Sequence, residues 1–294
     1  MTPPLMVAID EAGSMNRGDL CSISGNTLLL CLLAGDEKQL APVVMTMEDL
    51  YLDGYSVNRS GPDGRLRMAK GQFEICRTTA YSDVDSTYGT GSDNSLPGHR
   101  IGHILEEYVR AKFLEVKPPQ DGNLEPVFMN PVSKSKKNFD HIHAALDFCT
   151  DFVQAKKVKP VDLLILSPYD AMVEILPGWL KRPEYAALEG MRPPSTIDSI
   201  QGQEGGMVVV ITGTNEHVGA GFTSDERRLN VMLSRHKSAL VIFSDIDTVD
   251  VPGKGKLAVT EGLSGEMTFS KATTLKAVHS MMVRNGRIAT VNCI

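Results

Sequence analysis

Residues 207–211 read Met-Val-Val-Val-Ile, and residues 239–243 read Ala-Leu-Val-Ile-Phe. Both runs are apolar at every position, so they lack the alternation of a strand that has one solvated face. Three more apolar runs of similar length lie at 5–9, 28–33 and 161–166. Runs of this kind, each ending in a polar cluster, are typical of parallel strands that are buried on both faces. We therefore predict a parallel sheet.

Segments with helical periodicity lie between several of these runs. Apolar residues recur at helical spacing over 140–155, and 171–180 and 226–233 are shorter segments of the same kind. Alternation of strand and helix predicts an α/β fold with right-handed crossovers. Because ligands bind at the carboxyl ends of strands in such sheets, we expect the polar clusters to mark the site there.

The composition excludes several classes of protein. The chain has 294 residues, of which 42% are hydrophobic and 22% charged, and this length favours about two domains. No apolar run reaches about 18 residues, so no membrane span is expected. Five cysteines without Cys-x-x-Cys spacing favour a reducing, intracellular compartment over a disulfide scaffold or a zinc ribbon. The net charge of −6 does not by itself indicate a nucleic-acid-binding protein.

Two strand ends near the N-terminus carry residues suited to magnesium–nucleotide chemistry. Asp10 and Glu11 follow the run 5–9; the first carboxylate can hold Mg²⁺ through water, and the second can polarise an attacking water. Gln39, in the loop after 28–33, can position a water or sense a γ-phosphate. It follows Asp10 by 29 residues, the length of one strand–helix–strand unit. The alternative is a solvated turn at each strand end.

Two later segments suit phosphate and sugar binding. The stretch 196–206 is rich in glycine, which lets the backbone approach a ligand, and its Glu204 can accept a ribose hydroxyl or pair with an arginine. The stretch 225–237 is basic, and on a helix Arg228 and Arg235 would share one face, with guanidiniums able to neutralise phosphoryl charge. The alternatives are a flexible surface loop and a solvated basic face.

Taken in order, these motifs resemble motifs II, III, V and VI of superfamily-1 helicases, in the branch of the nonsense-mediated-decay helicase and senataxin. The resemblance covers about 5–50 and 98–247. It is carried by Asp10-Glu11-Ala12; Gly35-Asp36 with Gln39-Leu40 and Pro42; Asp198-Ser199 with Gln201-Gly202 and Glu204; and Arg228-Leu229-Asn230-Val231 with Leu233-Ser234-Arg235. Leu166-Ser167-Pro168-Tyr169 is similar to motif IV, although Met172 replaces the usual Gln.

The resemblance implies a RecA-like P-loop NTPase fold with ATP in the cleft between two domains. This chain would hold one near-complete C-terminal domain and the rear part of an N-terminal one. The expected divisions are a partial first domain at 1–52, a low-order insertion or linker at 53–97, a second domain at 98–250 and a basic tail at 251–294. Beyond Pro252 the tail counts six basic residues against two acidic ones.

The resemblance also assigns roles to single residues. Asp10 would hold Mg²⁺ through water and Glu11 would activate the attacking water. Gln39 would contact the γ-phosphate, and Arg235 would be the arginine finger of the second domain. Glu204 would bind the ribose and Arg228 would be an accessory arginine. Arg100 is assigned because His99-Arg100-Ile101 stands where the family carries Tyr-Arg-Met. The other residues assigned to nucleotide binding are Gly202, Gln203 and Tyr169.

Two departures from the family pattern limit the expected activity. No Gly-x-x-x-x-Gly-Lys-Ser/Thr loop occurs, and in the family that loop precedes motif II, so here it would lie before Met1. Gly206 stands where the family usually has Asp. We therefore expect the C-terminal part of an ATP-dependent helicase that translocates on single-stranded RNA or DNA, deficient in ATP turnover as an isolated chain. Whether the chain alone is an enzyme is left open.

The alternative function is a non-catalytic RecA-like scaffold that binds nucleic acid or a partner protein. In the leading interpretation the cofactors are ATP and Mg²⁺, and the partners are single-stranded nucleic acid and a protein partner or the missing N-terminal half, without a membrane. The expected location is the nucleus or the cytoplasm. His141 and His143 lie two apart on a helical segment, so they do not share a face and are interpreted as surface histidines.

Overall fold

The computed structural model describes residues 6–9, 30–33, 68–83, 88, 92–132, 139–200, 204–215, 219–249, 258–261, 267–270 and 272–292, with the backbone alone at 6–9, 30–33, 258–261, 267–270 and 292. The chain divides into two compact units, Met1–Ser56 and Val57–Ile294.

The first unit contains two of the predicted strands. Strand β1 (Met6–Ile9) pairs in parallel with β2 (Leu30–Leu33), with Met6 opposite Leu30. The predicted strands and their parallel pairing are thus confirmed. The candidate site residues that follow them in sequence, Asp10, Glu11 and Gln39, lie outside the described residues.

The second unit alternates strands and helices. Its strands are β3 (Val127–Val132), β4 (Leu163–Ser167), β5 (Ser195–Thr196), β6 (Gly205–Ile211), β7 (His236–Phe243), β8 (Ala258–Glu261), β9 (Met267–Ser270) and β10 (Ile288–Asn292). Its α-helices are α1 (Glu74–Thr79), α2 (Arg100–Lys112), α3 (Phe139–Lys156), α4 (Asp170–Leu180), α5 (Glu226–Leu233) and α6 (Thr273–Asn285).

Six of these strands form one sheet in the order β10-β3-β7-β6-β4-β5. Every pair in that sheet is parallel. Strands β4, β6 and β7, which are the other three predicted runs, are its central members. The predicted α/β fold with a parallel sheet is therefore confirmed. Strands β8 and β9 form a separate antiparallel pair.

The central strands are apolar at consecutive positions because both faces of the sheet are covered. In β6, Val209 and Ile211 belong to a buried apolar cluster with residues of α2 and α3. Val208 and Val210 point to the opposite face and are also fully buried. Burying each such side chain contributes about 1.5–3 kcal/mol, so a polar residue at any of these positions would be costly.

Helices on the two faces close the core with aromatic contacts. On one face Tyr108 of α2 meets Phe152 of α3 edge-on, with ring centroids 5.2 Å apart. On the other, His279 of α6 lies edge-on to Phe128 of β3 at 5.1 Å. These contacts attach the helices α2, α3 and α6 to a single sheet.

The sheet continues past the predicted boundary at residue 250. Helix α6 ends at Gly286, whose φ of +66° is the left-handed conformation that favours glycine at this position. Strand β10 then pairs with β3, with Ile288 opposite Phe128. Part of the predicted basic tail is therefore a sheet element, and Arg287, counted there among the basic residues, is fully buried.

The interpretation of His141 as a surface histidine is wrong. Helix α3 packs so closely on the sheet that the His141 side chain is only 3% exposed. Burial lowers its pKa, because a charged imidazole would lose its hydration, while Asp245 and Asp140 oppose the shift. His143, two residues on, is half-buried and its Nδ1 lies 3.1 Å from the Tyr185 hydroxyl.

Candidate functional site

Glu204 and Arg235 lie side by side at the amino ends of two adjacent central strands. Glu204 immediately precedes β6 and Arg235 immediately precedes β7. The Gly205 N–H donates to the Arg235 carbonyl at 2.8 Å, which ties the two segments together. The expectation of a site at the carboxyl ends of the strands is wrong for this pair, because both segments come before their strands in the chain.

Two cations contact Glu204, one at its carboxylate and one at its backbone. Its Oε2 is 3.6 Å from Lys237 Nζ, and the carboxylate side chain is 39% exposed. Arg192 Nη1 donates to the Glu204 carbonyl oxygen at 2.7 Å. Arg192 and Lys237 therefore hold the backbone and the side chain of Glu204, and the sequence analysis singled out neither of them. An exposed carboxylate with this support can accept hydrogen bonds from sugar hydroxyls.

Arg235 is 8% exposed, and its Nη2 donates to the Ser234 hydroxyl at 3.0 Å. Its guanidinium is near enough to the buried Cys76 of α1 to affect that thiol. Burial raises the pKa of Cys76 to about 12, and the positive charge of Arg235 opposes the rise. Helix α5 ends at Leu233, so Arg235 lies beyond it and the predicted helical face shared by Arg228 and Arg235 does not form.

Residues 68–83 pack next to Arg235, although they fall in the predicted low-order linker. The Ala69 N–H donates to the Lys237 carbonyl at 2.7 Å. Farther along, Asn230 Nδ2 of α5 donates to the Tyr81 hydroxyl at 2.8 Å. This part of the chain therefore contributes to the surroundings of the candidate arginine.

Arg228 and Tyr169 form a second group, near the start of α5. The Asp225 carboxylate accepts hydrogen bonds from the backbone N–H groups of Arg227 and Arg228. Asp225 is therefore the N-cap of α5. Arg228 Nε is 3.4 Å from Asp198 Oδ1, and its guanidinium lies 4.9 Å from the Phe222 ring centroid. These contacts direct Arg228 toward Asp198 and Phe222.

Tyr169 packs against the same phenylalanine. Its ring centroid is 5.3 Å from that of Phe222, and its hydroxyl accepts the Phe222 N–H at 3.4 Å. Burial raises the pKa of the Tyr169 hydroxyl, so it stays protonated at neutral pH. Since α5 has eight residues, a length of about 12 Å, this group and Arg235 lie at opposite ends of the helix.

The roles of the remaining candidate residues rest on the sequence. Arg100 is exposed at the first position of α2, and its role stays a prediction. Gly202 and Gln203 lie outside the described residues, as does Asp10, the predicted Mg²⁺ ligand. Within the described part of the chain, no group of three or more His, Cys, Asp or Glu side chains could hold a metal ion. Nor does any helix there have the length and apolar character needed to cross a membrane.

The sequence pattern of the AAA domain family matches residues 92–247, more than half of the chain. The chain belongs to this family. One relative is "Regulator of nonsense transcripts 1 homolog" of Neurospora crassa, which is 35% identical over 95 residues, covering 30% of this chain and 8% of the relative. A second is "ATP-dependent helicase upf1" of Schizosaccharomyces pombe, which is 30% identical over 237 residues, covering 73% of this chain and 24% of the relative. A third is "Helicase sen1" of the same yeast, which is 21% identical over 279 residues, covering 90% of this chain and 16% of the relative.

These relatives confirm the resemblance to superfamily-1 helicases of the nonsense-mediated-decay and senataxin branch. The AAA domain match spans β3 to β7, so Glu204, Arg228 and Arg235 all fall inside it. The chain spans less than a quarter of the length of each of these three relatives. Membership in this family implies nucleotide and Mg²⁺ use in general terms.

A second stretch of the sequence also matches the family's Tyr-Arg-Met motif. Leu66-Arg67-Met68 agrees with that motif at two of its three positions, whereas His99-Arg100-Ile101 agrees at one. Arg67 lies outside the described residues, but Met68 begins the segment that packs next to Arg235. This stretch falls within the predicted low-order linker at 53–97.

Proposed function

We propose that this AAA domain chain is the C-terminal part of an ATP-dependent nucleic-acid helicase. The observation that carries the proposal is the Gly205–Arg235 hydrogen bond, which brings the motif V carboxylate and the motif VI arginine to one edge of the sheet. A carboxylate suits ribose hydroxyls and a guanidinium suits phosphate oxygens, so this pair of side chains fits a nucleoside triphosphate.

In this proposal Glu204 binds the ribose and Arg235 binds the γ-phosphate, while Arg228 assists through its charge. Bound ATP supplies the phosphoanhydride bond whose cleavage drives translocation. The remaining proposed participants are Asp10 with Mg²⁺, Glu11, Gln39, Gly202, Gln203, Tyr169 and a second arginine, for which Arg67 now competes with Arg100. Lys237 and Arg192 support Glu204 through the contacts described above.

A nucleotide-binding assay tests the site. A fluorescent ATP analogue is titrated into the whole chain with and without Mg²⁺, and Glu204→Gln should weaken binding about tenfold or more, the value of a charged hydrogen bond. Glu174→Gln, an exposed carboxylate on α4, is the matched control and should have no effect. Equal effects of the two substitutions would contradict the role of Glu204.

We propose further that the isolated chain is deficient in ATP turnover. The chain contains no Gly-x-x-x-x-Gly-Lys-Ser/Thr sequence, the loop that cradles the β- and γ-phosphates with backbone amides and a lysine. Phosphate release should stay at background with and without single-stranded RNA. Turnover that is strongly stimulated by nucleic acid would overturn this part of the proposal while supporting the helicase function.

The partner proposed is single-stranded nucleic acid, RNA or DNA, in the nucleus or cytoplasm. The relatives' printed names include helicases and, in Mus musculus, "DNA-binding protein SMUBP-2". The second candidate function is a non-catalytic scaffold, favoured by the missing phosphate loop. A chain that retains nucleic-acid binding and shows no nucleotide binding at all would favour the scaffold.

A further inference from the structure

An aromatic cluster outside every helicase motif lies where α3, α4 and the following segment meet. The Phe139 and Trp179 rings are near-parallel, with an interplanar angle of 24° and centroids 5.9 Å apart. The Arg182 guanidinium lies over the Trp179 ring at 3.8 Å from its centroid. His143 meets the same ring edge-on at 4.3 Å. One indole is therefore contacted by a ring, an imidazole and a cation.

Phe139 and Arg182 are the exposed members of this cluster, whereas Trp179 and His143 are half-buried. Phe139 is 43% exposed, whereas Phe148 and Phe152 of the same helix are buried. The Arg182 side chain is also 43% exposed, and its nearest carboxylate, Glu184, is 3.9 Å away. A phenylalanine that remains exposed while stacked on a tryptophan leaves apolar ring surface available to a further flat group.

The sheet topology separates Phe139 from Glu204 and Arg235. Phe139 begins α3, seven residues after the carboxyl end of β3, and the next strand of the chain, β4, runs parallel to β3. Helix α3 must therefore return toward the amino ends, so Phe139 lies on the carboxyl-end side of the sheet. Glu204 and Arg235 precede β6 and β7, on the amino-end side.

Positive charge accompanies the cluster. Lys181 and Arg182 are exposed neighbours after α4. Cations beside exposed rings match a ligand with a negative backbone and flat, unpaired bases.

We propose that Phe139, Trp179 and Arg182 form a stacking surface for single-stranded nucleic acid, in which a base stacks on the exposed Phe139 ring and the Arg182 guanidinium faces the phosphodiester backbone. The proposal rests on the proposed helicase function and adds the location of one contact. Stacking of this kind is insensitive to sequence, because every base has a π-face. A duplex, whose bases are already stacked and paired, should bind more weakly at this surface.

The chain's single tryptophan provides a direct test in the unmodified protein. A single-stranded RNA of about twelve nucleotides is titrated into the whole chain while Trp179 emission is recorded, and the anisotropy of a labelled copy of the RNA reports total binding. Saturable quenching that follows the anisotropy curve is expected. A duplex of equal length and heparin are the competitors, and neither should quench as strongly.

Matched variants separate stacking from charge. Phe139→Leu keeps an apolar side chain without a ring and should weaken binding on the order of 5- to 100-fold, the effect of removing one stacking platform. Leu114→Ala, which removes apolar surface from an 89% exposed position away from the cluster, should have no effect. Arg182→Gln should weaken binding more than Lys181→Gln, the same change of charge one residue away.

The outcomes distinguish this surface from the wider function. RNA binding by anisotropy with unchanged Trp179 emission and an unaffected Phe139→Leu variant would overturn the stacking surface and leave the helicase proposal standing. Quenching by heparin equal to that by RNA would show a purely ionic site and also overturn it. Absence of RNA binding would overturn both proposals. Quenching with selective loss in Phe139→Leu would support them together.

Discussion

The Arg287 guanidinium is fully buried and donates Nη2–H to Glu106 Oε2 of α2 at 2.6 Å. Its Nη1 also donates to Glu106 Oε1 at 3.1 Å, so the pair is bidentate. The carbonyl oxygens of Lys117, Glu125 and Pro126 accept its remaining N–H groups. This single side chain thus joins α2, the segment before β3 and the start of β10.

Arg287→Met should lower the free energy of unfolding by about 2–4 kcal/mol, because the partly buried Glu106 carboxylate and three backbone carbonyl oxygens would lose their donor. Urea denaturation measures the loss. Arg284→Met, an exposed arginine on α6, is the control and should change stability by no more than about 0.5 kcal/mol. Adding Glu106→Leu to Arg287→Met should recover part of the loss. A loss below about 1 kcal/mol in Arg287→Met would contradict the role described here.

Two glycines in helices should respond oppositely to alanine. At Gly102 of α2 an added Cβ would overlap the Ser238 carbonyl oxygen, part of the β7 backbone, so Gly102→Ala should cost about 1–3 kcal/mol or more. At Gly178 of α4 an added Cβ meets nothing within 4 Å, so Gly178→Ala should stabilise by up to about 1 kcal/mol. Thermal unfolding of both variants checks the sign, and equal shifts in the melting temperature would refute the packing of α2 on β7.

His236 should make the protein less stable in mild acid. Burial lowers its pKa from 6.5 to about 3, and the positive charge of Arg235 acts in the same direction. Below pH 6.5 the imidazole of His236 is protonated in the unfolded chain but stays neutral in the folded chain. The free energy of unfolding therefore falls as the pH falls. The loss approaches about 1.4 kcal/mol per pH unit well below pH 6.5, and it amounts to about 1.6 kcal/mol between pH 6.5 and 5.

His236→Phe removes that titrating group while keeping a buried ring. Unfolding free energies at pH 7.5 and pH 5 should therefore differ by about 2 kcal/mol less in the variant than in the wild type. The buried His141 is common to both proteins and cancels in this comparison. An unchanged pH dependence in His236→Phe would show that another group dominates.

The thiols of Cys76 and Cys149 should be unreactive in the folded protein. Burial raises the pKa of each to about 12, so almost no thiolate exists at pH 8. Alkylation at pH 8, read by mass spectrometry of the peptides, should be at least about a thousandfold slower at both residues than in urea. Labelling of native Cys76 at the denatured rate would show that α1 does not stay packed next to Arg235.

Part of this fold was legible in the sequence for a simple reason. Strands β4, β6 and β7 contain the uninterrupted apolar runs 163–166, 207–211 and 239–243, because both faces of the sheet are covered there, and such runs are recognisable from the sequence alone. Strand β3 escaped prediction because Asn130 and Pro131 interrupt it, and β10 because it is short and lies at the edge of the sheet. Helix α5 matched its predicted span because Asp225 caps its start locally.

For the candidate site, too, the sequence identified some features and only the structure showed others. Glu204, Arg228 and Arg235 are identifiable as candidates from ordered motifs in the sequence, because carboxylate and guanidinium groups suit the binding of sugars and phosphates. Their arrangement is not, since the sequence suggested one helical face for Arg228 and Arg235 and the structure ends α5 between them. Lys237 and Arg192 carry no sequence signal of their own, because each acts only through its contact with Glu204.

The sequence by itself determined that this chain builds a parallel α/β sheet and carries ordered motifs that resemble those of superfamily-1 helicases. Both follow from local properties, namely uninterrupted apolar runs and side-chain chemistry. Only the tertiary structure decided that Arg287 of the supposed tail is buried against Glu106, that residues 68–83 pack next to Arg235, and that Phe139 stacks on Trp179. These relationships join residues far apart in the chain, and they exist only because the packed sheet brings those residues together.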